Sequence, residues 1–437
     1  MKENNHLQPL LTPLLLWGLG VGYVISGMYF GWNFGLAEGG TLGMAIATLW
    51  VVAMYVCFIG CYAELACAIP KAGGVFDYTT QALGAGWGFV AGVAQVIEFV
   101  LAPPAIAASI GAHIHLFFPA CPPLYAALAA YMMFTLLNIL GVKLAATFEL
   151  MITGVAIVGL LVFAAVALPY WQFSNIMLDA WPNGWAGVWG AIPFAIWFFL
   201  GIEGLANAAE ESQNPQRDLT QGFASAMGTL VFLCFLTFMT SVGVAGWKAV
   251  VFQADGTLSD SPLPLALSSF LDSGHILYIM IVVAGLFGLA ASFHGLLMAG
   301  GRATFEMGRV GHFPRWLGGV HSKFKTPTNA LIINMIVGVA LLLSNTAADI
   351  IVLAVLGALT LYAFGVISMW QLRRSVPELP RPFVAPAYPW VSFIALLLVV
   401  IALAAVVISN PTLAIYYGLT IAVFGGFWRI LRLNDKK

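Results

Sequence analysis

Long apolar stretches separated by short polar breaks run along the whole chain. Each holds about 20 residues, the length that an α-helix needs to cross the hydrocarbon core of a bilayer. Alternating segments of roughly 10 residues, which mark membrane β-barrels, are absent from the sequence. The pattern therefore predicts an all-α integral membrane protein with twelve transmembrane segments. These are residues 11–38, 41–68, 84–117, 122–140, 145–169, 187–210, 222–250, 275–305, 328–344, 348–372, 389–409 and 411–431.

The composition agrees with a membrane location. Of 437 residues, 61% are hydrophobic and 8% are charged, whereas roughly a quarter of the residues in a soluble protein are charged. The first ten residues are polar, and the apolar stretch after them exceeds signal-peptide length, so we expect no cleavable signal peptide. The five cysteines have no metal-binding spacing, and we expect neither a metal nor a cofactor.

The basic residues predict the orientation. With a cytoplasmic N-terminus, 16 of the 17 lysines and arginines lie on the cytoplasmic side and only Lys248 lies outside. This asymmetry follows the positive-inside rule. We therefore expect a multi-pass protein of the cytoplasmic (inner) membrane with both termini in the cytoplasm. The asymmetry also supports twelve segments, because a missed segment would mix the two sides.

Two segments carry glycine-rich breaks. The first contains Ser26, Gly27 and Gly31, and the sixth contains Gly201 and Gly204 around Glu203. Since the two segments are five spans apart, they cross the membrane in opposite directions. Interrupted helices in opposite orientations indicate an inverted repeat with the substrate site at the breaks. For either break alone, close helix packing is an alternative explanation of the glycines.

Three long motifs carry a family resemblance. Residues 64–84 read ELACAIPKAGGVFDYTTQALG, residues 193–219 read PFAIWFFLGIEGLANAAEESQNPQRDL, and residues 300–331 read GGRATFEMGRVGHFPRWLGGVHSKFKTPTNAL. Together they resemble the amino acid–polyamine–organocation (APC) superfamily. The resemblance implies a leucine-transporter-type fold of five-plus-five inverted helices with two appended helices. The implied parts are a cytoplasmic tail 1–10, a first repeat 11–169, a second repeat 187–372, an appended pair 389–431 and a cytoplasmic tail 432–437.

Within the superfamily, the chain most resembles ethanolamine permeases. The stretches GVGYVISGMYFGWNFGL, ELACAIPKAGGVF and AQVIEFVLAPPAIAASIGA are similar to that branch. Amino-acid transporters of the superfamily usually have a Gly-Ser-Gly break in helix 1, whereas this chain has Ile25, Ser26 and Gly27. Isoleucine crowds the place where a substrate carboxylate would sit, which fits an amine without a carboxylate. Packing of Ile25 against lipid or a neighbouring helix is the alternative.

Two acids lie inside apolar segments, where a carboxylate costs roughly 2.5–3.5 kcal/mol. The resemblance implies that Trp197 covers the substrate and that Glu203 senses a proton. Glu203 either binds the substrate ammonium or a proton, or is a protonated group that bonds the helix 1 break. Glu98 either faces the central cavity or is buried structurally. The candidate substrate-binding residues are Ser26, Gly27, Tyr29, Phe30, Glu98, Trp197, Phe199, Gly201 and Glu203.

The coupling ion is left open by the sequence. Proton-coupled relatives in the superfamily carry a lysine in helix 5 where this chain has Ala156, and Ser292 alone offers a hydroxyl for sodium in helix 8. The candidates for proton coupling are Glu203, Glu98 and His294. Acids at the cytoplasmic helix ends are expected to form gate or loop ion pairs with Lys71, Lys143 and Arg217. These acids are Glu64, Glu149, Glu210, Glu211 and Asp218.

These observations predict a secondary active transporter that imports a small, ethanolamine-like amine by alternating access, linked to protons. An amino-acid symporter or exchanger of the same superfamily is the first alternative, and a substrate sensor on a transporter fold is the second. We do not expect an enzyme, because no nucleophile–base or metal constellation is evident, nor an ATP-driven pump, because no phosphate-binding motif is present. The expected partners are the substrate, the bilayer and H⁺ or Na⁺, not a nucleic acid.

Overall fold

The computed structural model describes residues 11–141 and 145–434, and in these ranges it is helical with no β-strands. The predicted tail 1–10 lies outside the described residues, as do Lys2, Lys143 and the last three residues of the tail 432–437. The first eight helices are α1 (Pro13–Val24), α2 (Ser26–Tyr29), α3 (Asn33–Ala68), α4 (Val75–Leu83), α5 (Ala85–Phe117), α6 (Pro123–Leu140), α7 (Ala145–Ala167) and α8 (Phe173–Met177).

The remaining helices follow a similar alternation of long apolar rods and short connecting turns. They are α9 (Gly184–Trp197), α10 (Pro215–Ala245), α11 (Lys248–Val251), α12 (Pro262–Ser268), α13 (Ile276–Arg309), α14 (Thr328–Ser344), α15 (Ala347–Ser375), α16 (Trp390–Ser409) and α17 (Pro411–Asn434), with 3₁₀ helices at Leu168–Tyr170, Ile202–Glu211 and Arg315–Gly318.

Within the described residues, ten helical segments are long and apolar enough to cross a membrane, and the shorter apolar helices α1 and α14 come in addition. The protein is therefore a multi-pass membrane protein. Every predicted apolar segment coincides with helix. The boundary predicted between residues 38 and 41 falls at Gly40, whose φ of 62° interrupts α3; only glycine adopts such an angle without strain.

Helix α5 lies at the centre of the bundle. It packs against α4, α6, α13, α14 and α15, and most of its apolar length is buried inside the protein. Helix α17 lies at the opposite extreme, with none of its apolar window buried. Since its leucine, isoleucine and phenylalanine side chains are exposed, α17 lies at the periphery against lipid. Polar groups buried along α5 are candidates for a functional site.

Candidate substrate site

The two predicted breaks contact each other through their backbones. A Cβ atom at Gly27 would overlap the carbonyl oxygen of Trp197 and would lie 3.1 Å from the Cα atom of Phe198. A residue without a side chain is therefore required at this contact. The arrangement brings Gly27 of the first segment to the end of α9, where the sixth segment stops being helical.

The interruption of the first segment covers the residues of its glycine-rich break. Helix α1 ends at Val24 and the short α2 follows Ile25, but the strongest departure from helical angles lies at Phe30 and at Gly31, whose φ is 94°. Ser26 donates its backbone N–H to the hydroxyl of Ser292 at 2.9 Å. That hydroxyl donates in turn to the carbonyl of Gly22 at 2.7 Å, so α13 satisfies the polar backbone groups of the break.

The sixth segment changes its helix type at Gly201. This glycine has a φ of 98°, and the chain continues as a 3₁₀ helix from Ile202 to Glu211. Gly204 lies inside the 3₁₀ helix, where a side chain would meet the ring of Tyr23 at 3.2 Å. Gly201 therefore forms the turn and Gly204 allows close packing, which accounts for both glycines around Glu203.

Glu203 and Glu98 form a buried pair. Glu203 is 1% exposed and Glu98 is fully buried. Each carboxyl group lies within electrostatic reach of the other, and among the described residues neither Glu98 oxygen nor Glu203 Oε1 has a hydrogen-bond partner. An ionised carboxylate only accepts hydrogen bonds, and two neighbouring buried carboxylates are costly when both are ionised. A proton shared between them, or a cation bound to them, would relieve that cost.

A chain of tyrosine hydroxyl groups extends from this pair. Tyr362 of α15 donates its hydroxyl to Glu203 Oε2 at 3.0 Å, and the hydroxyl of Tyr55 lies 2.8 Å from that of Tyr362. Sequence reasoning missed both tyrosines. Phe199 joins this group, since its ring lies 5.2 Å from that of Tyr55 between centroids.

The other predicted residues lie around the helix 1 break. Trp197 donates its indole N–H to the carbonyl of Phe30 at 2.9 Å, and the two rings meet edge to face. Tyr29 is directed to α7, where its hydroxyl donates to the carbonyl of Ala156 at 2.6 Å. Ile25 is fully buried, so it does not face lipid. The predicted set thus divides into a carboxyl cluster, a backbone cluster and a tyrosine bonded to α7.

A polar pair lies next to the carboxyl cluster. Gln95, one helical turn before Glu98 on α5, donates its amide to Asn207 Oδ1 at 3.5 Å. Asn207 also lies against Gly74, at the start of α4. Both amides are 3% exposed or less, so polar groups line the space between α4, α5 and the 3₁₀ helix.

The predicted ion pairs at the cytoplasmic helix ends have other partners than expected. Glu64 binds Arg373 and the backbone N–H of Ala385, and Glu211 pairs with Arg302. Glu210 accepts from the Ala72 N–H and Asp218 from the Asn214 N–H. Glu149 is buried beside His294, with Oε2 at 3.5 Å from His294 Nδ1, and its predicted neighbour Lys143 lies outside the described residues.

The site is closed on both sides. On one side, Asn33 and Ser109 donate to the carbonyls of Ser259 and Asp260 at 2.8 Å and 2.7 Å. On the other, the backbone of Leu11 exchanges hydrogen bonds with that of residues 211–213. Within the described residues, Glu98 and Glu203 are shielded from solvent, and hydrogen bonds join the surrounding elements on both sides of them.

Long apolar helices around a buried carboxyl pair, at the meeting point of two helix breaks, define a membrane transporter. The chain belongs to the amino acid permease family of the APC superfamily, whose model matches residues 14–428. It is 29% identical to an uncharacterized transporter of Rhizobium meliloti, covering 91% of this chain and 86% of that one.

Two relatives from Bacillus subtilis have named substrates. The branched-chain amino acid permease BcaP is 27% identical, with 87% of this chain and 84% of the permease covered. The methylthioribose transporter is 28% identical, with 90% of this chain and 87% of the transporter covered. The family thus includes proteins named for chemically different solutes.

Proposed function

We propose that the protein imports a small, ethanolamine-like amine across the cytoplasmic membrane by alternating access, linked to protons. The observation that carries this proposal is the buried pair of Glu98 and Glu203. An ammonium group between two carboxyl groups finds opposite charge and hydrogen-bond acceptors where water is scarce. It would replace one shared proton without leaving the site with a large net charge.

The aromatic residues supply the second part of recognition. The rings of Phe199 and Tyr55 lie beside the carboxyl cluster, and a cation over an aromatic face gains roughly 0.5–2 kcal/mol. The backbone at Ser26, Gly27 and Gly201 would bind the polar end of the substrate. Trp197, Phe30 and Tyr29 would pack around it when the breaks separate, since all three line the break of helix 1.

The proposed architecture has twelve spans, with repeats at 11–169 and 187–372, an appended pair at 389–431 and cytoplasmic tails. The coincidence of all twelve predicted segments with helix supports it. So does the paired interruption of the first and sixth segments at Gly31 and Gly201. Rocking of one half of the bundle about these breaks would open the site to each side in turn.

An amino-acid symporter or exchanger is the second candidate. It is favoured by the family model and by the similarity to a branched-chain amino acid permease. Such a substrate adds a carboxylate that needs free N–H groups at the helix 1 break. In the closed conformation the Ser26 N–H is bonded to Ser292 and Ile25 is fully buried next to it, which favours the amine.

The two candidates are separated by uptake into proteoliposomes that contain the purified protein. Uptake of radiolabelled ethanolamine and, in parallel, of radiolabelled leucine is measured against unlabelled ethanolamine, choline, putrescine, alanine, leucine, arginine and glutamate, with and without a proton or sodium gradient. The proposal predicts competition by ethanolamine and acceleration by an inward proton gradient. Competition by leucine or alanine without any by ethanolamine would support the amino-acid transporter instead.

A further inference from the structure

A second acid–base pair lies away from the carboxyl cluster. His294 of α13 places its Nδ1 atom 3.5 Å from Glu149 Oε2 of α7, and the side chains are 12% and 2% exposed. Neither Glu149 oxygen nor His294 Nδ1 has a hydrogen-bond partner within the described chain. Two complementary groups held just beyond hydrogen-bond length, with no competing partner, form a place where one proton can be held.

The pair is connected to the break of helix 1. A Cβ atom at Gly22 would lie 2.8 Å from Glu149 Oε1 and 2.8 Å from the hydroxyl of Thr153. The carbonyl of Gly22 is the acceptor of the Ser292 hydroxyl, which also binds the Ser26 N–H. Glu149, Gly22 and Ser292 therefore form one continuous set of contacts that ends at the proposed substrate site.

Few charged groups lie near the pair among the described residues. Within the described part of the chain, His294 is the ion-pair partner that lies beside Glu149. From α1, Tyr23 lies within electrostatic range of Glu149 and of the Arg302–Glu211 ion pair. From α6, Phe134 packs its ring against His294. Among the described residues, no lysine or arginine forms an ion pair or hydrogen bond with Glu149.

We propose that Glu149 and His294 form a proton-binding site that controls the cytoplasmic closure of the transporter. With one proton the pair is neutral, either as an acid with an imidazole or as a carboxylate with an imidazolium. Without it the pair leaves a buried negative charge, which is costly unless water reaches it. Proton binding therefore stabilises the closed conformation, and proton release favours opening towards the cytoplasm. This inference rests on the transport function proposed above.

The inner closure offers a readout that needs no substrate. The backbone N–H groups of Leu11 and Gln213 are bonded across the closure, to Glu211 O and Leu11 O respectively. We measure hydrogen–deuterium exchange of these amides in the purified full-length protein between about pH 6 and about pH 8, corrected for the intrinsic exchange rate. One linked proton predicts that protection falls by up to about tenfold per pH unit as the pH rises.

The variants separate this pair from other titrating groups. Glu149→Gln is expected to keep protection high and independent of pH, because a neutral amide has no proton to lose. His294→Gln is expected to move the midpoint by at least about half a pH unit, since Glu149 then titrates alone. The exposed residues Glu378 and His275 provide the matched controls Glu378→Gln and His275→Gln, which should behave as the wild type.

A pH response in Glu149→Gln equal to that of the wild type, or none in the wild type, would overturn the proposal. Should Glu149→Gln fail to fold, as shown by aggregation on size exclusion, the midpoint shift in His294→Gln decides alone. Uptake of ethanolamine and leucine is measured on the same samples. Failure of both probes would contradict the proposed transport function while the exchange data still test the proton site.

Discussion

Glu203 and Glu98 occupy a position where neither could persist alone as an ion. Each is buried, they lie within electrostatic reach of each other, and the Tyr362 hydroxyl donates to Glu203. The shared proton that such a pair requires is the simplest reason for two acids so deep in an apolar bundle. Replacing that proton by an ammonium conserves the hydrogen bonds, which connects the residue chemistry to the proposed substrate.

Neutralising one acid tests this chemistry. We expect Glu203→Gln to lower uptake of a transported amine by about 10–100-fold, because a hydrogen bond to a charged group contributes about 1.5–3 kcal/mol. Folding should persist, since the glutamine oxygen still accepts from Tyr362. Radiolabel uptake into proteoliposomes measures the effect, with Glu378→Gln as the control. Transport by Glu203→Gln at the wild-type rate would remove Glu203 from the mechanism.

Asp260 makes the loop between α11 and α12 sensitive to pH. Burial raises the pKa of Asp260 to about 6 from its ordinary value of 3.8, and its carbonyl accepts the Ser109 hydroxyl that holds the loop against α5. The closed loop favours the protonated acid. Below pH 3.8 the acid is protonated in both states, so its titration does not affect the free energy of loop closure. As the pH rises from there to about 6, the free energy of closure becomes less favourable, and above about 6 it stays constant.

The loop amide of Ser259, bonded to the carbonyl of Val251, reports this closure by hydrogen exchange. We expect its corrected exchange rate to rise between about pH 4 and about pH 6, and then to level off. Asp260→Asn should stay protected throughout. Asp255→Asn is the matched control, because Asp255 is exposed and bonded by Thr257; an unchanged pH response in Asp260→Asn would refute the assignment.

At the scale of helical elements, the contact between the two breaks is the feature on which alternating access depends. Gly27 lies directly against the carbonyl of Trp197. Gly27→Ala is expected to force the breaks apart and destabilise the closed conformation by about 1–3 kcal/mol, the usual cost of overpacking. The matched control is Gly228→Ala on α10, where a methyl group meets nothing within 4 Å and should stabilise the helix by about 0.5–1 kcal/mol.

Thermal unfolding in detergent and hydrogen exchange at the amides of Leu11 and Gln213 measure the two variants. Gly27→Ala should lower the midpoint of unfolding and the protection of these amides, whereas Gly228→Ala should lower neither. Equal behaviour of the two variants would mean that the breaks do not depend on close contact.

The sequence predicted the helical elements well, for a physical reason. Helices in lipid must satisfy their own backbone hydrogen bonds, so hydropathy alone marks them, and the glycines at 31, 40 and 201 marked positive-φ interruptions. The 3₁₀ geometry of Ile202–Glu211 was not predictable, because it depends on packing against α1 and α10.

The composition of the site was predictable only in part. Glu98 and Glu203 stood out because each is an acid in an apolar run, but their contact depends on how α5 is rotated about its axis. Such rotation is set by packing, not by hydropathy. Tyr362 and Tyr55 gave no comparable signal, since tyrosine is common in membrane helices. The contact between Glu149 and His294 was not predicted for the same reason, because His294 lies on a helix distant in sequence.

At the scale of the whole molecule, the contacts on both sides of the site fit the closed intermediate of the proposed alternating-access cycle.

The proposed topology has a direct test. In cells expressing a variant whose native cysteines are replaced by serine, Asp255→Cys should react with a membrane-impermeant maleimide from outside. Glu378→Cys should react only after permeabilisation, because the two exposed positions are proposed to lie on opposite faces. Labelling of both from the same side would contradict the twelve-span orientation.

The most direct measurement compares charged and uncharged ligands at the carboxyl pair. Binding of ethanolamine and of its uncharged isostere ethylene glycol is measured by isothermal titration calorimetry on the purified wild-type protein and on Glu203→Gln. A site built to recognise an ammonium predicts that the wild type binds ethanolamine, does not bind ethylene glycol, and loses about 10–100-fold in affinity in Glu203→Gln. Equal binding of the two ligands, or an unchanged affinity in Glu203→Gln, would contradict the account.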